Sequence, residues 1–497
     1  MKAGYPRPMS DSRLDISRVM LDRRRTKIVA TLGPASSSDE IVAALIRAGV
    51  NVFRLNFSHG NHADHADNIA RVRRLAALAS QPVAILGDLC GPKIRVGRFA
   101  GGAVSLEADS ELTVTTRVVV GTPHLVPSQY AALAEDVRPG DRILLDDGKL
   151  ELTVLATDQR TEVRCRVVHG GILKDHKGMN LPGVAVSAPA LTGKDRVDAA
   201  FAADAGIDFL ALSFVRSDAD IALLRDFLAG EGHAGLPIIA KIEKPEALQG
   251  IGAILTASDG VMVARGDLGV ELPAEEVPLI QSELIRLSIE SNKPVIVATQ
   301  MLESMIESPR PTRAEVTDVA AAALSRADAV MLSAETAAGR YPVEAVAAMD
   351  RILRMVEGYQ FEHGAHGRVG AVRTGAHADD PGEALSRATA LLSSDLGVAA
   401  IVVPTRGGRT ARLVSAERPA APVVALVEDG IIGRRLALSW GLIPDIVPTG
   451  SLRQIREAAR HAARRLALAE EGDSVLLVWD AAPESDKPEP TVSILRA

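Results

Sequence analysis

The chain has 497 residues, 47% of them apolar and 24% charged, and carries a net charge of −7 from 56 Lys plus Arg against 63 Asp plus Glu. At ~150 residues per domain this length suggests about three domains, and the composition excludes bulk disorder. The acidic balance and the scarcity of aromatic residues (8 Phe, 4 Tyr, 2 Trp) weigh against a nucleic-acid binder.

The N-terminal segment 1–25 lacks an apolar core of the secretory kind, and Asp11, Asp15 and Asp22 argue against a transit peptide, so a solvated arm is expected. The two cysteines, Cys90 and Cys165, are too few for a disulfide scaffold or a structural zinc site, which points to reduced thiols in a cytoplasmic protein. No apolar run approaches the ~18 residues of a membrane helix.

From residue 26 onward short, nearly continuous apolar runs alternate with helical patterns. The runs are 27–31 (KIVAT), 50–56 (VNVFRLN), 83–88 (VAILGD), 207–213 (IDFLALS), 238–243 (IIAKIE), 260–266 (GVMVARG), 294–299 (PVIVAT) and 329–333 (AVMLS). Such runs suit strands buried on both faces of a parallel sheet. Eight β/α units predict a closed (β/α)8 TIM barrel over 26–90 and 190–357, within an α/β fold. Ser37-x-x-Glu40 reads as a capping box with Gly49 as the helix stop, and Thr312-x-x-Glu315 reads as a second box.

Two segments break this rhythm. Over 91–189 the helical period vanishes, and strand-like runs at 111–115, 142–145, 150–155 and 161–168 predict a small inserted β domain, of barrel type. After residue 358 comes a low-complexity linker (HGAHGRVGAVRTGAHADDPG). A further α/β pattern follows, with strands near 400–403, 422–427, 475–479 and 492–495, giving a C-terminal domain over 358–497.

The polar residues of the barrel pattern fall at the C-terminal ends of its strands: Arg54, Asn56, Asp88, Lys241, Glu243, Asp267, Thr299, Ser333 and Glu335. In a barrel those ends form the active face. Glu243 and Asp267 end adjacent strands, and two carboxylates aimed at one cavity repel unless a cation or proton lies between them. Hard oxygen ligands without His or Cys favour Mg²⁺ or Mn²⁺. Lys241 stands two residues before Glu243 and so on the same side of its strand. A dication with Lys and Arg suits a phosphoryl group and the enolate it leaves. Thr299 and Ser333 are too weak to serve alone as bases but suit a chain of hydroxyl protons.

Other motifs are missing. There is no GxxxxGK[ST] loop, and no GxGxxG follows a strand. His59, His62 and His65 beside Asp64 and Asp67 read as a solvated helix start rather than a zinc site. Metal-dependent aldolases and mutases that act on pyruvate or phosphoenolpyruvate also use a barrel with Glu and Asp, but they lack the inserted β domain.

Longer motifs carry a resemblance over nearly the whole chain: RRTKIVATLGPASSS (24–38), GVNVFRLNFSHG (49–60), GDLCGPKIRVG (87–97), HKGMNLPG (176–183), IIAKIEKPEAL (238–248), DGVMVARGDLGVELP (259–273), PVIVATQMLESMIESPRPTRAEVTDVA (294–320) and DAVMLSAETAAGRYPVEAV (328–346). By these the chain resembles the pyruvate kinases. The resemblance implies a barrel domain, a lid-like inserted domain, a C-terminal effector domain and a homotetramer. It implies phosphoryl transfer from phosphoenolpyruvate to ADP. Carried over by motif, Glu243 and Asp267 hold Mg²⁺, Lys241 neutralises the phosphoryl in flight and Arg54 clamps it. Gly266 and Asp267 line the carboxylate site, and Thr299, with Ser333, serves enolate protonation. Asn56, Phe57, Ser58, His59, Arg95 and Lys177 fall on nucleotide contacts.

In many members a glutamate stands where this chain has Lys93. That glutamate accompanies K⁺, whose ligands would map to Asn56, Ser58, Asp88 and the Leu89 carbonyl. Lys93 is therefore expected to supply the charge of K⁺ and make the ion unnecessary, the alternative being K⁺ still bound at Asn56, Ser58 and Asp88. TRGGRT, comprising Thr405, Arg406, Gly407, Gly408, Arg409 and Thr410, follows a strand and suits a phosphate cradle for a phosphorylated allosteric effector.

Overall fold

The computed structural model describes residues 20–367, 380–448, 454–479 and 490–497. Residues 1–19 of the expected arm and 368–379 of the expected linker lie outside these. Two compact units divide the chain: Met1–Gly87 with Asp204–Phe209 and Leu284–Ala497, and Asp88–Ala203 with Leu210–Glu283.

The eight predicted strands form, as β1 (Lys27–Thr31), β2 (Val52–Asn56), β3 (Ala84–Asp88), β4 (Phe209–Leu212), β5 (Ile238–Ile242), β6 (Gly260–Ala264), β7 (Val295–Ala298) and β8 (Ala329–Leu332). Their hydrogen-bonded order runs β1-β8-β7-β6-β5-β4-β3-β2 and closes. Every residue of β1, β3, β4, β6, β7 and β8 is buried. A parallel strand covered on both faces demands this unbroken apolar run. The sequence pattern extends up to two residues beyond the ladder at either end, taking in buried apolar flanks such as Val50, Val83 and Ile207 and polar strand ends such as Glu243 and Ser333.

Local capping sets the helices. The first helix is Asp39–Ala48, and its cap is Ser38, whose side chain accepts from the Ile41 amide. The cap thus falls one residue beyond the expected Ser37. Gly49 closes the helix at φ 105°, a left-handed conformation that favours glycine. The Thr312–Glu315 box opens Arg313–Leu324 as expected, with both reciprocal bonds present.

The inserted segment builds a six-stranded sheet from Met179–Asn180, Arg142–Leu145, Leu150–Thr157, Glu162–His169, Glu111–Thr115 and Leu125–Pro127, in that spatial order. Gly171–Lys174 and Ala103–Leu106 pair separately. Along Glu162–His169 alternate residues are buried, so Val163, Cys165 and Val167 enter this domain's own core. Burial pushes the Cys165 thiol up to about 12, which keeps it an unreactive thiol.

The C-terminal sheet runs Leu442–Ile446, Val423–Val427, Ala400–Pro404, Ser474–Trp479 and Thr491–Arg496, with the last strand antiparallel. Leu442–Ile446 is absent from the sequence expectation. It holds Pro444 and stands at the sheet edge, where a missing amide donor is tolerated. Among the described residues no helix is long and apolar enough to cross a membrane.

Candidate active site

Polar side chains collect at the strand ends in two groups, one in each compact unit. In the unit containing β5 and β6 the centre is Lys241. Strand alternation sends Lys241 and Glu243 to one side. The Lys241 Nζ donates to Ser213 Oγ at 2.6 Å and lies 2.9 Å from Glu243 Oε1 and 3.2 Å from Asp88 Oδ1. Ser213 Oγ in turn donates to the Leu89 carbonyl at 2.7 Å. Glu243 Oε2 accepts the Phe214 amide at 2.7 Å, and Phe214 adopts φ 55° to present that N–H. Gly91 approaches this turn so closely that a Cβ there would lie 2.7 Å from the Phe214 ring.

The side chains of Asp88 and Glu243 are 1% exposed. Burial pushes the Glu243 carboxyl up, Lys241 draws it down and the Asp267 charge pushes it up again. Asp267 stands in the first turn of Arg265–Glu271, directly after β6. One ammonium thus faces Asp88, Glu243 and, through Glu243, the Asp267 charge. This buried excess of hard carboxylate oxygens fits a divalent cation.

Lys93, Asp147, Asn180, Arg216, Lys244 and Asp267 line one cleft of the same unit. Lys244 pairs with Glu271 at 2.5 Å, and Asn180 reaches the same Glu271 oxygen at 3.5 Å. Arg216 donates to the Val186 and Ala188 carbonyls. The return segment of the inserted domain is therefore held by Arg216, which follows β4, and by Glu271, in the helix after β6. Lys177 pairs with Asp146 at 2.8 Å, and the hydrogen bond from Lys177 holds the Asp146 carboxyl below its ordinary range. Arg95 donates to the His176 carbonyl at 3.0 Å.

In the other unit Arg54 Nη1 donates to Thr31 Oγ1 at 3.1 Å, and Thr31 Oγ1 donates to the Leu332 carbonyl at 2.9 Å. Thr336 Oγ1 accepts the Thr31 amide and donates to the Thr31 carbonyl, so the turn after β8 anchors the arginine's support. Thr299 and Gln300 follow β7 at φ 72° and 54°. A β-branched residue at positive φ is strained and marks a position held by its surroundings. Ser333 follows β8, and its amide donates to Glu335 Oε2 at 2.7 Å.

Asn56 Oδ1 accepts the Ser58 amide at 3.1 Å, and the His59 amide donates to the Asn56 carbonyl. His65 packs on Phe57 with centroids 4.6 Å apart and bonds the His59 carbonyl, which gives it a structural place in the helix His62–Leu78. Among the described residues no three His, Cys, Asp or Glu side chains gather as a metal site. In the C-terminal domain Thr405 Oγ1 accepts the Gly408 amide at 3.0 Å. Gly408 adopts φ 78° and caps Arg409–Ala416. Arg406 and Arg409 are exposed, Thr405 and Thr410 are buried, and Arg409 pairs with Asp380.

Lys241, Glu243, Asp267, Arg54, Thr299 and Ser333 lie at or directly after the strand ends, where the sequence pattern predicts them. Ser213, Arg216 and the Lys244–Glu271 pair stand beside them without having been predicted. Ser213 carried a signal, as a polar residue ending a strand run. The others depend on contacts between segments distant in the chain.

Comparison with known proteins is uniform. Residues 23–346 match the family model "Pyruvate kinase, barrel domain", and 383–487 match "Pyruvate kinase, alpha/beta domain". The chain is 47% identical over 458 residues to pyruvate kinase 2 of a Synechocystis strain, covering 91% of this chain and 76% of that one. It is 44% identical over 465 residues to a Mycobacterium tuberculosis pyruvate kinase, covering 93% and 96%. A crystal structure of a pyruvate kinase from Cryptosporidium parvum superposes with TM-score 0.85 at 34% identity, covering 98% of both chains.

Proposed function

The chain belongs to the pyruvate kinase family, and from that premise we propose which of its residues do the work. The reaction breaks the P–O bond of phosphoenolpyruvate, passes the phosphoryl group to a β-phosphate oxygen of ADP, and leaves the enolate of pyruvate, which takes a proton at C3. It is a glycolytic phosphotransfer, with pyruvate and ATP as products.

Lys241 is the catalytic cation of the proposal. Asp88, Glu243 and Ser213 hold its ammonium. A fixed ammonium stabilises charge on the phosphoryl group and on the enolate oxygen without reorganising during the reaction. Arg54, seated on Thr31, clamps the phosphoryl group. Gly266 and Asp267 line the carboxylate site, and Thr299 with Ser333 delivers the proton to C3. Asn56, Phe57, Ser58, His59, Arg95 and Lys177 contact the nucleotide. Lys177 exchanges Asp146 for phosphate oxygens as the inserted domain closes and excludes water.

Glu243 and Asp267 would hold Mg²⁺ or Mn²⁺, which supplies a Lewis acid for phosphoryl and enolate oxygens when bound. The observation that carries the assignment is the buried carboxylate excess around Lys241. We assign 26–90 with 190–357 to the catalytic barrel, 91–189 to the lid and 358–497 to the effector domain. Thr405, Arg406, Gly407, Gly408, Arg409 and Thr410 cradle a phosphorylated effector, and the assembly is a homotetramer.

K⁺ is not required in this reading. Asn56 Oδ1 accepts the Ser58 amide, the Leu89 carbonyl accepts Ser213 Oγ, and the Lys241 ammonium already lies 3.2 Å from Asp88 Oδ1. Lys93 lines the cleft that Asp267 also lines, and in this reading its ammonium supplies the charge of K⁺.

The deciding experiment is pyruvate formation from phosphoenolpyruvate with and without ADP and Mg²⁺, in wild type and Lys241→Met. Turnover that needs both, and collapses in the variant, supports the assignment. ADP-independent pyruvate formation, or an active variant, defeats it.

A further inference from the structure

The turn after β8 does more than carry Ser333. Glu335 is the one acidic residue of the strand-end set that the proposed mechanism leaves without a task. Its side chain is buried, with the residue 2% exposed, and both of its oxygens accept backbone amides. Oε2 takes the Ser333 amide at 2.7 Å, and Oε1 takes the Leu302 amide at 3.1 Å. Leu302 ends the short segment that begins with Thr299 and Gln300, both at positive φ. Ser333 itself adopts φ −105° and ψ −98°, outside the ordinary helical and extended regions. One carboxylate therefore bridges two irregular backbones, each bearing a hydroxyl assigned above to proton delivery.

We infer that Glu335 is a positioning residue for enolate protonation, its carboxylate fixing the Thr299 segment against the Ser333 turn so that the two hydroxyls keep one geometry. The inference rests on the assignment of Thr299 and Ser333. Unusual backbone persists only where surrounding bonds over-determine it, and hydrogen bonds to an ionised acceptor are the stronger kind. The two segments have other ties, so the bridge is not what keeps them folded. The Arg340 amide donates to the Ile306 carbonyl at 2.8 Å. Gly339 lets the chains approach so closely that a Cβ there would lie 2.5 Å from the Glu335 carbonyl oxygen and 3.2 Å from Ile306 Cα. Thr336 bonds Thr31 independently.

Glu335→Gln is the informative change. A carboxylate offers an acceptor to each amide, whereas a carboxamide offers one oxygen and turns its NH₂ toward the other donor. One half of the bridge is lost with side-chain size kept.

The test follows the exchange of pyruvate C3 protons with D₂O by NMR, with Mg²⁺ and ATP present, beside kcat and KM for phosphoenolpyruvate. Exchange reports enolate formation and protonation at C3 without net phosphoryl transfer. Glu335→Gln is expected to lower exchange and kcat by about 10–100-fold, the usual cost of a misplaced group, with KM for phosphoenolpyruvate within about twofold. Glu335→Asp, which keeps two acceptors, is expected to lose less than the Gln variant. Exchange within about twofold of wild type in Glu335→Gln overturns the inference. So does an equal loss of substrate binding, exchange and unfolding midpoint, which would mark a purely structural residue. Thr299→Ala separates the two levels of reading: unchanged exchange there removes the proton-delivery assignment itself.

Discussion

Buried charge is handled differently at the two ends of the barrel strands. At the ends where the strands begin, each carboxylate has ample donors. Asp208, just before β4, accepts Arg73 and the Ile85 amide at 2.8 Å and Arg434 at 2.9 Å. Asp328, just before β8, accepts Arg418 at 2.8 Å and the Trp440 amide at 2.9 Å. Arg434, Arg418 and Trp440 come from the C-terminal domain, so these bonds join it to the barrel. At the opposite strand ends, the Lys241 ammonium lies between the buried Asp88 and Glu243 carboxylates, and Glu243 also accepts the Phe214 amide. A balanced set specifies a junction, whereas a set short of positive charge is ready for cationic ligands.

The comparison breaks if the two sets respond alike to losing a cation. Arg418→Met removes the guanidinium paired with Asp328, where the side chains are 2% and 5% exposed. Leaving that carboxylate buried is expected to cost about 3–5 kcal/mol of unfolding free energy by chemical denaturation. The folded fraction should keep its kcat within about threefold. Lys241→Met is expected to do the reverse, lowering kcat by about 10²–10³-fold in the steady-state pyruvate assay with secondary structure retained by circular dichroism.

Lys27 sharpens the contrast through pH. Its Nζ donates to the Leu442 carbonyl at 2.5 Å across the same junction. Burial, then Arg24 and Arg25, lower its pKa from 10.5 to about 7, against the opposing pull of Glu357 and Asp328. Between about pH 7 and 10.5 the unfolded chain binds more protons than the folded one, so this group makes stability rise with pH across that window. Below about pH 7 both states are protonated and the cost of burying the ammonium is felt in full. The unfolding free energy of wild type should therefore climb relative to Lys27→Met over that range. A parallel pair of pH profiles would remove Lys27 as the cause.

The smallest effect expected is none. Initial rates with K⁺ should lie within about twofold of those with tetramethylammonium at equal ionic strength, and a tenfold dependence would restore K⁺ to the site and refute the role given to Lys93.

Much of this was legible in the sequence because it rests on short-range rules. Continuous apolar runs marked all eight barrel strands, since a strand covered on both faces tolerates nothing else. Two-residue alternation placed Lys241 beside Glu243. Capping chemistry found Thr312–Glu315 but misplaced the first cap by one residue, because Ser37 and Ser38 are locally equivalent and only the observed geometry selects Ser38. The strand Leu442–Ile446 escaped because Pro444 argues against a strand unless the strand lies at an edge, and edge position is a property of the whole sheet.

By itself the sequence determined the architecture and the strand-end places of the residues proposed to react. Both follow from patterns read within a few residues and from motifs carried along the chain. Only the tertiary structure decided which partner each charge meets: Ser213 for Lys241, Glu271 for Lys244, and the Leu302 and Ser333 amides for Glu335. Hydrogen bonds and ion pairs act over a few ångströms, and here they join residues from 2 to 33 positions apart. No periodicity encodes that distance, and chain folding alone supplies it.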